Sequence, residues 1–394
     1  MPAILVMELS RGALSLTEGE RLSATQRDRE KGAPPTSEEL FKTLSELTSL
    51  PGPSGYESQV AKALESMIGP HVDRTFTDSF SNFIAEKRPK VRESARSVMI
   101  YAHMDEIGLM VKHVDEKGFL YFELIGGWDA RVLPAQRLQV STPRGPITGV
   151  VGCKPPHIQE REEMEKAYKA EEIFIDVGAK SREEAEKWGI RVGSTATLDT
   201  SLEWLGKSTL ASGKALDDRI GCAILVDIAH RMAGKELDYT LYYGGTTQEE
   251  VGLHGAKVAA FGITPSLALV IDDSIAGDVP GVDEKRAPLK LGKGPGITIM
   301  DSGFILSEGV RELLVSAAED DYIPYQLEVM RGGTTDAATI RTTKTGVPTG
   351  VLSVPVRYGH SSVEVVDIQD MVNTMRLVVS VIGRLDEKKL AEIR

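Results

Sequence analysis

Tyr239-Thr240-Leu241-Tyr242-Tyr243 and, two glycines later, Thr246-Thr247-Gln248-Glu249-Glu250-Val251-Gly252-Leu253 decide how this chain is read. The first run is short, apolar and aromatic, as a buried strand is. The second sets two adjacent carboxylates just beyond that strand, and residues 253–261 then follow as a helix. Strand, acidic turn and helix in that order make one unit of an α/β sheet. Neighbouring side chains at a strand end or a first helical turn point in different directions. One glutamate can therefore hold a metal while the other faces water, which is the pairing of Lewis acid and general base that hydrolysis needs. A Glu-Glu pair can also do no more than complement a helix dipole. Its company in the chain decides.

Downstream the alternation continues. Residues 220–231 read as a helix, 267–271 as a buried strand, 297–300 as a strand and 308–318 as a helix. Residues 326–330 and 347–353 read as strands, and 368–385 as a closing helix. Such alternation predicts an α/β fold whose central sheet is covered by helices on both faces. Upstream, Thr36-Ser37-Glu38-Glu39 fits a capping box, with Leu40, Phe41, Leu44 and Leu47 on one helical face. Pro51-Gly52-Pro53-Ser54-Gly55 stops that helix. A second helix carries Val60, Leu64, Met67 and Ile68 inward, and residues 83–85 and 98–102 are strands.

Between about 108 and 198 the texture changes to short β-rich pieces separated by Gly and Pro turns, with one capped helix near 181–187. This predicts an inserted small β-barrel or β-sandwich. Within it, residues 159–172 are a dense run of charge, read as a solvated helix or mobile loop, with a substrate-facing flap as the sharper alternative. Residues 1–35 include a strongly polar run at 25–31 and end in Gly32-Ala33-Pro34-Pro35, which reads as an extension outside the fold. The expected organisation is an extension (1–35), a catalytic domain (36–107 and 199–394) and an inserted domain (108–198).

Composition narrows the function classes. The chain has 394 residues, 41% hydrophobic and 26% charged, an ordinary globular balance. The net charge of −12 gives no footprint for nucleic acid. Cys153 and Cys222 lack metal-type spacing and read as thiols of a reducing compartment. No run approaches a membrane span, and the opening Met1–Met7 stretch makes a poor signal peptide, so a cytoplasmic protein is expected.

Five stretches place acids or imidazoles directly after an apolar strand or at a turn: His103-x-Asp105, Asp217-Asp218, Glu249-Glu250, Asp272-Asp273 and Gly359-His360. In open α/β sheets the ligand crevice lies beyond the carboxyl ends of the strands, where these groups would converge. Each has a bland reading by itself: a satisfied histidine, a helix N-cap, a turn aspartate. Together they are the ligand set of zinc or a similar divalent ion, and carboxylates gathered without a cation would repel one another. The i, i+2 spacing of His103 and Asp105 puts both on one side of a strand, so Asp105 can accept the ring N–H that His103 does not give to a metal.

His103-Met-Asp105-Glu-Ile-Gly, Ala-Leu-Asp217-Asp218-Arg219, Thr-Gln-Glu249-Glu250-Val-Gly, Asp272, Gly333-Thr-Thr-Asp336-Ala and Arg357-Tyr-Gly-His360-Ser together resemble the tetrahedral (TET) dinuclear-metal aminopeptidases. That family contains glutamyl and leucyl aminopeptidases, and some members have been labelled endoglucanase. The resemblance spans about residues 37–388. It implies a zinc-peptidase-like catalytic domain with a central mixed sheet and an inserted PDZ-like barrel. It also implies two divalent ions, zinc with cobalt able to substitute, bridged by Asp217. His103 and Asp272 would complete one ligand set, Glu250 and His360 the other; Glu249 would be the general base and Asp105 would orient His103. The Asp217–Asp218 bond is commonly cis in relatives. Short peptides are the implied substrates, a tetrahedral dodecamer the implied assembly, and neither nucleic acid nor membrane an implied partner. Gly332, Gly333, Thr334 and Asp336 are expected to shape the pocket for the first residue through close backbone approach.

Three positions depart from the family pattern: His254 stands where Arg is usual, Ser81 where Gly often precedes Asn82, and residues 1–35 have no counterpart. Two rival classes stay open at this point. A glycosidase would need two free carboxyls flanking a sugar bond, and a 6% aromatic content offers little stacking surface. A catalytically silent assembly protein would have kept the fold without the chemistry.

Overall fold

The structure, a computed structural model, describes residues 37–89 and 94–393. The 1–35 extension and Thr36 of the predicted capping box lie outside these. The first helix runs Ser37–Ser49 and buries Leu40, Leu44 and Leu47; the next, Ser58–Ile68, buries Val60, Leu64 and Ile68. The main sheet is built on β3 (Ser97–His103), which is buried at every position but its first. β12 (Thr240–Thr246) and β13 (Leu267–Ile275) pair with β3 in parallel, and β16 (Thr349–Arg357) pairs in parallel with β13. Strands buried on both faces must be apolar throughout, which is why each reads as a continuous hydrophobic run.

Antiparallel strands extend this centre, making the sheet mixed. β1 (Arg74–Thr77) and β2 (Phe83–Lys87) add to β12, and β17 (Glu364–Asp367), β11 (Leu210–Gly213) and β10 (Glu203–Trp204) continue from β16. β14 (Gly296–Met300) and β15 (Gln326–Val329) branch from β16. The helix Leu216–Met232 packs on β3 and β13, with Ser37–Ser49, Ser58–Ile68 and Ile368–Arg384 around it. His254–Ile263 and Ala337–Ile340 pack on each other and on the sheet. The inserted segment is a closed barrel, β4 (Gly108–Val114), β5 (Leu120–Ile125), β8 (Phe174–Asp176), β7 (Ile147–Gly152), β6 (Arg137–Val140) and β9 (Thr195–Leu198) in neighbour order. Its own core includes Leu109, Phe122, Leu138, Ile175 and Ala196. Closure settles the barrel against the sandwich.

Several bounds differ from the pattern reading. β13 runs on to Ile275, so Asp272 and Asp273 sit inside a strand, paired with Ser353 and Val354, and not in a turn at the sheet edge. β16 runs on to Arg357, because its partners continue alongside it. Ile368–Arg384 is followed by a further helix, Glu387–Glu392, capped by Asp386. The charged run 159–172 holds only a single helical turn, Arg161–Met164, and a 3₁₀ turn, Ala170–Glu172. Among the described residues no helix is long and apolar enough to cross a membrane.

A buried ionic group locks the loops behind the sheet end. Arg219 is fully buried; it donates to the carbonyls of Leu47 (2.6 Å), Leu50 (3.0 Å) and Met104 (2.9 Å) and lies 3.5 Å from Glu106. Lys214 donates to the other Glu106 oxygen at 2.7 Å. Arg219→Met would leave those three carbonyls without their donor, so it is expected to cost about 3 kcal/mol. Urea unfolding checks this, and a loss below about 1 kcal/mol would deny the group its structural part.

Candidate active site

The parallel register brings strand ends together. Thr246 of β12 lies beside His103 of β3, so the turn carrying Glu249 and Glu250 starts level with the first histidine. Asp272 comes from β13 next door, Asp217 from the first turn of Leu216–Met232, and His360 from the loop after β16. Asp217 and Asp218 have non-helical backbone angles within that turn, and the bond between them is cis.

The five predicted ligands converge. His103, Asp217 and Asp272 form one group, and Asp217, Glu250 and His360 a second; within each, the ligand atoms lie within 4.8 Å of one another. Asp217 belongs to both. Its Oδ1 is 2.8 Å from His103 Nε2 and its Oδ2 is 3.0 Å from His360 Nε2. Asp272 Oδ1 lies 3.8 Å from His103 Nε2, and Glu250 Oε1 lies 3.2 Å from His360 Nε2.

The field of the cluster is that of too many buried negative charges. Burial, with Asp272 and Asp217 beside it, pushes Asp218 well above the usual carboxylate range. Burial does the same for Asp272, where His103 opposes and Asp217 adds to the rise. Glu249 is raised well above its ordinary value by burial; His103 works against this, and the carboxylates of Asp272, Asp336 and Glu250 reinforce it. Asp217 is the exception. Burial would raise it, but hydrogen bonds from His103 and His360 outweigh that and hold it well down. His360 is pushed up to about 12 by Asp217 and Glu250, against the effect of burial.

These residues fit divalent cations. Imidazole and carboxylate are the donors such ions take, and crowded buried carboxylates are stabilised by positive charge. Glu250 Oε1 is buried without a well-aligned hydrogen bond and faces another candidate ligand atom, His360 Nε2, at 3.2 Å, as an oxygen meant for a cation would.

Asp105 lies beside the His103 ring, as its spacing suggested, and also holds the acidic turn. His103 Nδ1 is nearer the backbone carbonyl of Asp105 (3.1 Å) than its carboxylate (3.5 Å). The carboxylate also accepts from the Ser54 hydroxyl (2.6 Å) and from the backbone N–H of Glu249 (3.0 Å) and Glu250 (3.2 Å). Asp105 therefore fixes the acidic turn as much as the imidazole. Gly332, Gly333 and Thr334 lie in a loop at the surface, and a Cβ at Gly332 would meet nothing within 4 Å. Gly333 is glycine for its left-handed backbone (φ +70°), not for close approach within the chain. Asp336 is buried and accepts from Thr246 Oγ1 at 2.6 Å, so it braces the strand end beneath Glu249.

Pattern reading missed a set of supporting residues. Glu364, buried on β17, accepts from the backbone N–H of Leu216 (2.5 Å), Asp217 (3.4 Å) and His360 (2.8 Å), tying together two ligand-bearing segments. Its spacing of four from His360 was the only signal. Glu57 accepts from the N–H of Gly55 (2.6 Å) and Gln248 (3.0 Å). Asn82 Oδ1 accepts from Thr247 N–H at 3.0 Å, and Ser81 before it adopts φ +70°, the reason a glycine suits that position. His254 is exposed at the start of its helix with its ring against Gly252, and joins neither ligand group.

Comparison with known proteins agrees with this geometry. The chain is 37% identical over 345 residues to a putative aminopeptidase of Acetivibrio thermocellus, covering 88% of this chain and 99% of that one. Among solved structures it resembles an aminopeptidase from the archaeon Desulfurococcus kamchatkensis (TM-score 0.86, 41% identity, 91% of this chain and 98% of that one). It also resembles the TET1 peptidase of Pyrococcus horikoshii, which can assemble into a tetrahedron or a large octahedral shell (TM-score 0.78, 32% identity, 88% and 100%). The sequence pattern of the M42 glutamyl aminopeptidases matches residues 81–377, most of the chain, and this chain belongs to that family.

Proposed function

We propose that the protein is a two-metal aminopeptidase that removes the first residue from short peptides, with Glu249 as general base. The observation that carries this is the sharing of Asp217 between two three-residue ligand groups beside a second, free glutamate. His103, Asp217 and Asp272 would hold one ion and Asp217, Glu250 and His360 the other, zinc being the resident metal and cobalt a substitute. Ions at these positions supply Lewis acidity to a peptide carbonyl and make water easier to deprotonate. Glu249 takes the proton from the attacking water and passes it to the leaving amine. Asp105, holding the amides of Glu249 and Glu250, keeps the base and its neighbouring ligand in fixed relation. The free amino group of a substrate is drawn to the remaining negative charge, which favours chain ends over internal bonds.

The loop through Gly332, Gly333 and Thr334 would receive the first side chain. By analogy with the TET1 peptidase, self-association into a tetrahedral particle through the inserted domain (108–198) is part of the same proposal, with 36–107 and 199–394 as the catalytic unit. The test is a panel of aminoacyl chromogenic substrates with acidic, basic and aliphatic first residues, assayed before and after chelation. Turnover is expected to vanish with the chelator and return with zinc or cobalt. Turnover indifferent to chelation, or confined to glycosides, would overturn the proposal.

A further inference from the structure

The inserted barrel reaches into the candidate active site through one turn, Gly126-Gly127-Trp128, which follows β5. We propose that this turn is a positioning element for one ligand group only. It aims the ring of His360 and backs Glu250, and it leaves the His103–Asp272 group untouched. The inference rests on the two-ion reading above.

The Gly127 carbonyl accepts from His360 Nδ1 at 2.5 Å. An acceptor there keeps the proton on Nδ1 and leaves Nε2, the atom facing Asp217 and Glu250, with its lone pair free for a ligand bond. The fit is close on both glycines. A Cβ on Gly127 would come within 3.1 Å of His360 Nδ1 and 3.2 Å of its Cε1. A Cβ on Gly126 would sit 2.7 Å from Ile107 and 3.1 Å from Glu250 Oε2, and Gly126 is left-handed at φ +81°. The turn has its own anchor: the Trp128 indole N–H donates to the carbonyls of Gly108 and Ile125, each at 3.0 Å. Gly108 and Ile125 are paired at the open end of the β4–β5 hairpin, so the turn is fixed to the barrel frame.

The other group is held differently. His103 Nδ1 faces the Asp105 carbonyl, and its backbone N–H donates to Asp218, both within the catalytic domain. The catalytic domain thus aims one imidazole and the barrel aims the other. His360 receives its backbone support from Glu364 and its ring orientation from Gly127.

Two variants of the full chain test this, Gly127→Ala and Trp128→Phe, by equilibrium titration of the metal-free protein with Co2+, followed by visible absorbance and by competition with a chelator. The parent is expected to bind two ions. Each variant is expected to keep one at the parent's affinity and to hold the other roughly 10–100-fold more weakly, as loss of an outer partner of a ligating histidine does. Absorbance of the retained ion should match the parent's first-bound ion. Equal weakening of both ions, or no change in either with far-UV circular dichroism intact, would overturn the inference. Should Gly127→Ala disturb the barrel, Trp128→Phe decides, since it keeps a smaller aromatic ring in place and removes the donor. A parent that binds fewer than two ions would instead defeat the two-ion reading, which separates the two failures.

Discussion

Glu249→Gln is expected to lower kcat by roughly 10²–10⁴-fold while leaving two metal ions bound per chain. Glutamine has nearly the shape of glutamate, and the backbone at this position is held by Asp105 through the N–H, which the substitution does not alter. Glu249 belongs to neither ligand group, so the ion count should survive. What is lost is a carboxylate able to accept a proton. Steady-state kinetics with metal analysis of the same sample make the test. Retention of kcat within about tenfold would move the base elsewhere; loss of an ion would make Glu249 a ligand.

Asp217→Ala should be more severe, because one side chain serves both groups. Its two oxygens face the two imidazoles at 2.8 and 3.0 Å, so the change takes each group from three ligands to two. Both ions should weaken by more than the roughly 10–100-fold typical of losing an outer partner, and activity should disappear with them. Asp272→Ala, which touches one group only, is the contrast and should release a single ion. Should Asp217→Ala release only one ion, the bridge would not exist. The metal-free variant should also unfold more easily than the metal-free parent, since the carboxylate that His103 and His360 hold well down is lost and both imidazoles are left without it.

The central strands, though not all their ends, were readable from residue types alone. β3, β12, β13 and β16 are parallel and buried on both faces, so their apolar runs stand out, and the acids that follow mark the crevice. The closing of the inserted segment into a barrel was half readable: Gly and Pro turns announce short strands, but barrel or sandwich depends on which edges pair. Strand ends such as Asp272-Asp273 were cut short by the pattern because a carboxylate inside a strand looks like a turn until its neighbours are known.

By itself the chain determined which side chains could make a metal site and that they follow strands, since residue type and period are local properties. Tertiary structure alone decided what holds them. Glu364 meets Asp217 from 147 positions away, and Gly127 meets His360 from 233. Such supports are backbone N–H and carbonyl groups, which every residue carries, and so leave no mark in the sequence. Only the folded path of the chain chooses among them.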